Sequence, residues 1–180
     1  MTGNEGRMLF GKYLNFFAKE IWGRLDEIFD DERIIALMDN RPSLSFLTPE
    51  EFKELYVAMG WGDDYTTVAA CYSVKWNTIY IHIYDKLTEE HLGDYIAHEA
   101  AHAIVRLAKL QCPSEDDHSE LFWRIFYKIL KFHKLTYFPY HGKKNWKYLK
   151  GNKLIRKWVL QDTRKRRWKK FKNFLTIWKS

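Results

Sequence analysis

His98-Glu99-Ala100-Ala101-His102 is the segment from which the rest of this chain is best interpreted. Its H-E-x-x-H spacing is typical of a helix that binds zinc. Residues i and i+4 of a helix lie on one face, about 6 Å apart, so both imidazoles can reach one metal ion. The Glu99 carboxylate lies about 100° further round the helix, where it can act as a general base toward a water molecule. The segment therefore predicts a zinc site with a catalytic base beside it.

The chain before this segment predicts a hairpin and further helices. Apolar residues recur at three- and four-residue steps over 13–38, which predicts one or two amphipathic helices. Thr48-Pro49-Glu50-Glu51 predicts a capping box at the start of a helix that ends near Gly60. Residues 66–73 and 77–84 predict two strands of a hairpin. These elements indicate an α+β fold.

The metal-binding helix is predicted to begin at Thr88 and to end at Cys112-Pro113. Ser114 is the predicted N-cap of the next helix, which carries His118 in its first turn. A catalytic zinc needs three protein ligands and an open position, so one more donor is expected downstream. The candidates are His118, Glu115, Asp116, Asp117 and Glu120. His118 is favoured because imidazole is the commonest zinc ligand and the acids fit as charges at a helix N-terminus.

Length and composition indicate one folded core with an appendage. The chain has 180 residues, of which 46% are hydrophobic and 17% aromatic, and this excludes wholesale disorder. No run of 18 or more uncharged apolar residues occurs, and residues 1–11 lack a secretory signal, so a cytoplasmic location is expected, with association to DNA or the nucleoid as an option. Cys71 and Cys112 are predicted to be free thiols that behave as small buried hydrophobes.

Basic residues are concentrated near the end of the chain. Residues 142–180 hold 15 of the 30 Lys and Arg residues and one acid, Asp162, which gives a net charge of +14 there and −7 over 1–141. We therefore predict a domain over 1–141 and a basic, aromatic-rich segment over 142–180. Basic side chains can neutralise phosphates while aromatic rings stack on bases, so nucleic acid is the expected partner. The candidate contacts are Arg164, Lys165, Arg166, Arg167, Lys169 and Lys170. Docking of this segment on the acidic body and binding to an anionic membrane surface are the alternatives.

One family resemblance emerges from these motifs. His98–His102, followed 16 residues later by His118-Ser119-Glu120-Leu121-Phe122, resembles the H-E-x-x-H and H-x-x-x-F pattern of SprT-like metallopeptidases, which include the Spartan DNA–protein crosslink proteases. The similarity extends over residues 66–141. It implies a zincin-like core, with a small sheet packed on the H-E-x-x-H helix and zinc bound by His98, His102 and His118. Many members continue into a four-cysteine zinc ribbon, whereas this chain has no cysteine after Cys112.

The predicted activity is zinc-dependent hydrolysis of peptide bonds in DNA-associated proteins, with Glu99 as the general base. Residues 78–84 are predicted to pair with an extended substrate by β-augmentation. Candidates for steadying the oxyanion are Tyr137, Tyr140 and His141. The alternative is a nucleic-acid-binding protein with a structural or inactive zinc site. Glu99 argues against that alternative, because a structural site needs no base.

Overall fold

Helices and one small mixed sheet form an α+β architecture in the computed structural model, as the sequence predicts. The structure describes residues 10–60, 68–83, 88–110, 117–135 and 146–177. Contacts divide the chain into two units, Met1–Phe138 and Pro139–Ser180. None of the helices in these described ranges has the length and apolar character that crossing a bilayer requires.

The sheet has three strands, β1 (Ser43–Leu47), β2 (Ala70–Ser73) and β3 (Thr78–His82), in the order β1-β3-β2. β2 and β3 form the predicted antiparallel hairpin, and β1 runs parallel to β3. Asn77 ends the hairpin turn with φ 44°, a left-handed conformation that asparagine tolerates. β3 is thus the central strand, with neighbours on both sides. The prediction that residues 78–84 pair with a substrate is therefore wrong, because the backbone of β3 is already paired along both edges.

The N-terminal region is helical in two stretches, residues 10–28 and 32–39, in agreement with the predicted one or two amphipathic helices. The first stretch contains a π-helix (Phe16–Ile21), a 3-10 helix (Trp22–Arg24) and an α-helix (Leu25–Ile28), and the second contains an α-helix (Glu32–Ile35) and a 3-10 helix (Ala36–Asp39). Trp22 is buried and its indole N–H donates a hydrogen bond of 2.7 Å to the Leu37 carbonyl. That bond ties the two stretches together.

Two longer helices, α1 (Pro49–Ala58) and α2 (Glu89–Leu107), begin where the sequence predicts. Thr48 and Glu51 form the predicted capping box at α1, and the Thr88 side chain accepts a hydrogen bond from the His91 N–H at α2. Leu107, the last residue that the prediction places on this helix, is also its last residue, but the helix ends before Cys112-Pro113 is reached. Lys109 has φ 50°, and the Leu110 N–H donates to the Val105 carbonyl, so a Schellman-type cap ends the helix.

Helix α3 (Glu120–His133) packs against α2 in the core. Its N-cap is Ser119, whose side chain accepts a hydrogen bond from the Phe122 N–H. His118 therefore lies in a turn before the helix, and its predicted place in the first helical turn is wrong; Ser114 lies outside the described residues. Buried side chains of α2 are partly small and those of α3 are mostly large. Those of α2 include Ala97, Ala100, Ala101 and Ala103, and those of α3 include Phe122, Trp123, Phe126 and Ile129.

The second unit contains one helix of 32 residues, α4 (Trp146–Ile177). At 1.5 Å per residue it is about 48 Å long. Twelve of its residues are Lys or Arg and one, Asp162, is acidic. Side chains from Thr163 to Lys169 are all exposed to solvent.

Candidate metal centre

The three predicted ligands meet at the contact between α2 and the turn before α3. His98 and His102 are one turn apart on α2, and ligand nitrogens of His98, His102 and His118 all lie within 4.8 Å of one another. His98 Nε2 and His118 Nε2 are 3.1 Å apart. Two nitrogens bound to one tetrahedral zinc at 2.0–2.1 Å would lie about 3.3 Å apart. The three histidines are therefore close enough to bind a metal ion.

Asp117 and Ser119, the residues on either side of His118, each make a contact that fixes their position. Asp117 forms an ion pair with Arg106, which lies on α2 one turn beyond His102. On the other side, Ser119 caps α3. His118 is thus tied to both helices of the centre through its neighbours. Asp117 was a candidate third ligand and was explained as a charge at a helix start; its pair with Arg106 was not predicted, although Arg106 continues the i, i+4 series of His98 and His102.

An aromatic wall from α3 supports the three imidazoles. The fully buried Phe122 ring stacks on His102 at 4.2 Å between centroids and meets His118 at 4.8 Å and His98 at 4.9 Å. Trp123 and Phe126 also pack against His98. Rings in contact on this side restrict how the imidazoles can rotate. The sequence identified Phe122 as part of an apolar stripe and of the H-x-x-x-F pattern, but its contact with all three imidazoles was not predicted.

The environment keeps two of the imidazoles neutral. Burial lowers the pKa of His98 well below its usual value, and the neighbouring charges of His102 and His118 lower it further. Burial likewise lowers the pKa of His102, followed by the charges of His118 and Arg106. Metal ions bind neutral imidazole, so protons compete weakly for these ligands. A set of three imidazole nitrogens, two of them kept neutral by burial, is thus chemically suited to a metal such as zinc.

Glu99 lies beside the ligands but faces the sheet. Its side chain is 6% exposed, and burial raises its pKa to about 8, while a hydrogen bond from the Tyr72 backbone N–H to its carboxylate acts in the opposite direction. A bound cation would lower this pKa. A carboxylate with a pKa near neutrality can both accept and return a proton. The charge of Glu99, after burial, also helps to raise the pKa of the Cys71 thiol.

The structure describes only some of the other site residues predicted from the sequence. Tyr137, Tyr140 and His141 lie outside the described residues, as does Cys112. Cys71 is free and buried, as predicted. Arg164, Lys165, Arg166, Arg167 and Lys169 are exposed on α4, and Lys170 lies within the same helix. The structure thus assembles the metal-ligand part of the prediction and leaves the oxyanion part untested.

Comparison of the chain with protein-family models, with curated protein sequences and with solved structures gives no match in any of the three. The resemblance to SprT-like metallopeptidases therefore rests on the motifs themselves. A hydrolytic function has to be argued from the chemistry of this centre.

Proposed function

We propose that the protein is a zinc-dependent endopeptidase with a zincin-like core. The observation that carries the proposal is the convergence of His98, His102 and His118, with the buried carboxylate of Glu99 on the same helix. A purely structural site would need no base, whereas a hydrolytic site requires one close to the metal. Three histidine ligands also leave one position of a tetrahedral zinc for water or substrate.

Zinc held by His98, His102 and His118 would supply Lewis-acid chemistry, lowering the pKa of a water molecule and polarising the scissile carbonyl. Glu99 takes a proton from the attacking water and passes it to the leaving amine, which lets peptide-bond cleavage proceed without releasing a charged amide. The Tyr72 N–H, by donating to the carboxylate, holds Glu99 in place for this transfer. The aromatic wall of Phe122, Trp123 and Phe126 holds the ligand rings in position.

We propose that the substrate lies along the outer edge of β2. In the β2–β3 pair the His82 N–H donates to the Ala69 carbonyl, so hydrogen-bonded pairs alternate and the backbone groups of Ala70 and Tyr72 point away from β3. This edge adjoins α2 at Glu99, because the Tyr72 N–H reaches that carboxylate. The Tyr72 N–H is engaged by Glu99, so an extended peptide would pair with the backbone of Ala70 and with the Tyr72 carbonyl, and it would run beside the metal centre. Recognition through backbone hydrogen bonds gives broad sequence tolerance.

The test compares zinc-loaded wild type with Glu99→Gln on casein. Glutamine keeps the shape of the side chain and cannot accept the proton, so we expect cleavage to fall by about 100-fold or more. Zinc content, measured by mass spectrometry of the metal, should remain at the wild-type level. Glu54→Gln, an exposed carboxylate on α1, is the matched control and should cleave at the wild-type rate.

The outcomes separate the two candidate functions. Cleavage by Glu99→Gln at the wild-type rate would refute the role of Glu99. A wild-type protein that binds zinc and cleaves nothing, with or without single-stranded DNA, would favour the alternative of a structural or inactive site. Loss of wild-type cleavage on adding a chelator, and its return with zinc, is the remaining expected result.

A second proposed property is nucleic-acid binding by α4. The observation that favours it is the exposed run Arg164–Arg167 on a helix with a single acid, Asp162. Neutralising phosphates releases counterions, which stabilises such a complex. Together the two proposals describe a protease that acts on proteins bound to nucleic acid.

A further inference from the structure

The basic side chains of α4 surround the helix. Successive helical residues are about 100° apart, so Arg164, Lys165, Arg166 and Arg167 point in four directions that together cover the circumference. All four are exposed, and Lys169 is exposed as well. A helix that binds a flat anionic surface concentrates its cations on one face. This segment has no such face.

We propose that residues 164–169 of α4 bind in the major groove of duplex DNA. The proposal rests on the nucleic-acid binding proposed above and adds the form of nucleic acid and the mode of contact. The major groove is about 12 Å wide, and an α-helix with its side chains is about 10–12 Å across. Phosphates line the groove on both sides. A helix lying there places cations on opposite faces against opposite strands.

Other anionic partners fit this charge distribution less well. A single strand or a membrane surface lying along one side would leave about half of the circumference facing solvent. Binding to single strands also depends on several aromatic rings that stack on bases. The proposed contact, residues 164–169, holds one aromatic residue, Trp168, and the other aromatic residues of α4 lie before or after it in the sequence. Duplex RNA has a deep, narrow major groove that admits no helix.

The helix is straightforward to test by substitution. Alanine is the best helix former, so replacing single basic residues removes one charge and keeps the helix. Far-UV circular dichroism of each full-length variant checks this. The exposed Lys53 on α1 provides a control, because Lys53→Ala removes the same charge from the first unit.

The experiment measures binding of the full chain to a duplex DNA of about 20 base pairs by fluorescence anisotropy across a salt series. The variants are Arg164→Ala, Lys165→Ala, Arg166→Ala and Arg167→Ala. Each should weaken binding by a similar factor of about 3–10 and reduce the slope of log affinity against log salt by about 0.9. Lys53→Ala should change neither. A single strand of equal length and a duplex RNA should bind at least about 10-fold more weakly than the duplex DNA.

Each contrary result is distinct. If binding is weakened only by substitutions on one face of α4 and is unchanged by those on the opposite face, binding in the major groove is overturned. Equal or tighter binding of the single strand, of duplex RNA or of vesicles of phosphatidylserine and phosphatidylcholine would overturn the choice of partner. Wild-type protein that binds none of the nucleic acids would remove the nucleic-acid proposal itself. None of these results bears on hydrolysis at the metal centre.

Discussion

At the metal centre three ligand nitrogens lie within 4.8 Å of one another and the aromatic wall behind them is buried, whereas on α4 the basic side chains from Arg164 to Lys169 are spread around an exposed helix. Metal binding at the centre depends on the positions of a few atoms. Anion binding by α4 depends on the number of its positive charges. The regions also differ in sign, with −7 over residues 1–141 and +14 over 142–180. Single substitutions should therefore have large effects at the centre and small effects on the helix.

The largest expected effect is on metal affinity. His118→Ala removes one of three ligands, and since a structural zinc site is worth about 10–16 kcal/mol over four ligands, affinity should fall by roughly 60- to 700-fold. Competition with a chromogenic chelator measures it. His91→Ala, on the same helix as His98 but outside the cluster, is the control and should keep wild-type affinity. Equal affinity of the two variants would show that His118 is not a ligand.

The second largest effect is expected on the free energy of unfolding. Two substitutions, one in each region, compare the regions directly. Phe122→Ala empties a fully buried site against three histidine rings and should lower the free energy of unfolding by about 3 kcal/mol. Trp168→Ala removes a larger side chain from α4, but Trp168 is 59% exposed. This substitution should change the free energy of unfolding by less than about 0.5 kcal/mol. Urea unfolding of the metal-free protein, followed by circular dichroism at 222 nm, provides both values. Similar losses for the two variants would contradict the contrast between the regions.

The smallest expected effect concerns the ion pair that holds Asp117. Arg106→Ala should weaken metal binding by about 3-fold, because exposed ion pairs contribute about 0.2–1 kcal/mol. Asp117→Ala should do the same, and the double variant should be no worse than either single variant. Arg124→Ala removes another surface pair, with Glu120 on α3, and should leave metal affinity unchanged. Additive losses in the double variant would show that the pair does not position His118.

Local chemistry was predictable from particular residues. Thr48 and Glu51 form the capping box, Thr88 caps the metal-binding helix, and His98 and His102 face one side of it. Each of these features depends on residues within about one helical turn. The hairpin was predictable for the same reason, since alternating residues and a short turn specify it.

Most features that join distant parts of the chain were not predictable, and the exception is His118, which was predicted to join His98 and His102. The parallel pairing of β1 with β3 places the central strand where the sequence suggested an edge. The turn at His118, the wall formed by Phe122 and the contact of Glu99 with Tyr72 depend on how α2, α3 and β2 pack. Side-chain periodicity indicates which face of an element is buried, but it does not indicate which element covers that face.

The sequence by itself determined the ligand spacing on α2, the starts of α1 and α2 and the separation of an acidic part from a basic part, because these follow from residue type and short-range geometry. Tertiary structure alone decided that His118 meets His98 at 3.1 Å and that β2 adjoins Glu99. Both contacts bring together residues about 20 or more positions apart, and burial of the shared apolar core fixes where such residues meet. The same burial makes Glu99 hold its proton to higher pH and keeps His98 and His102 neutral.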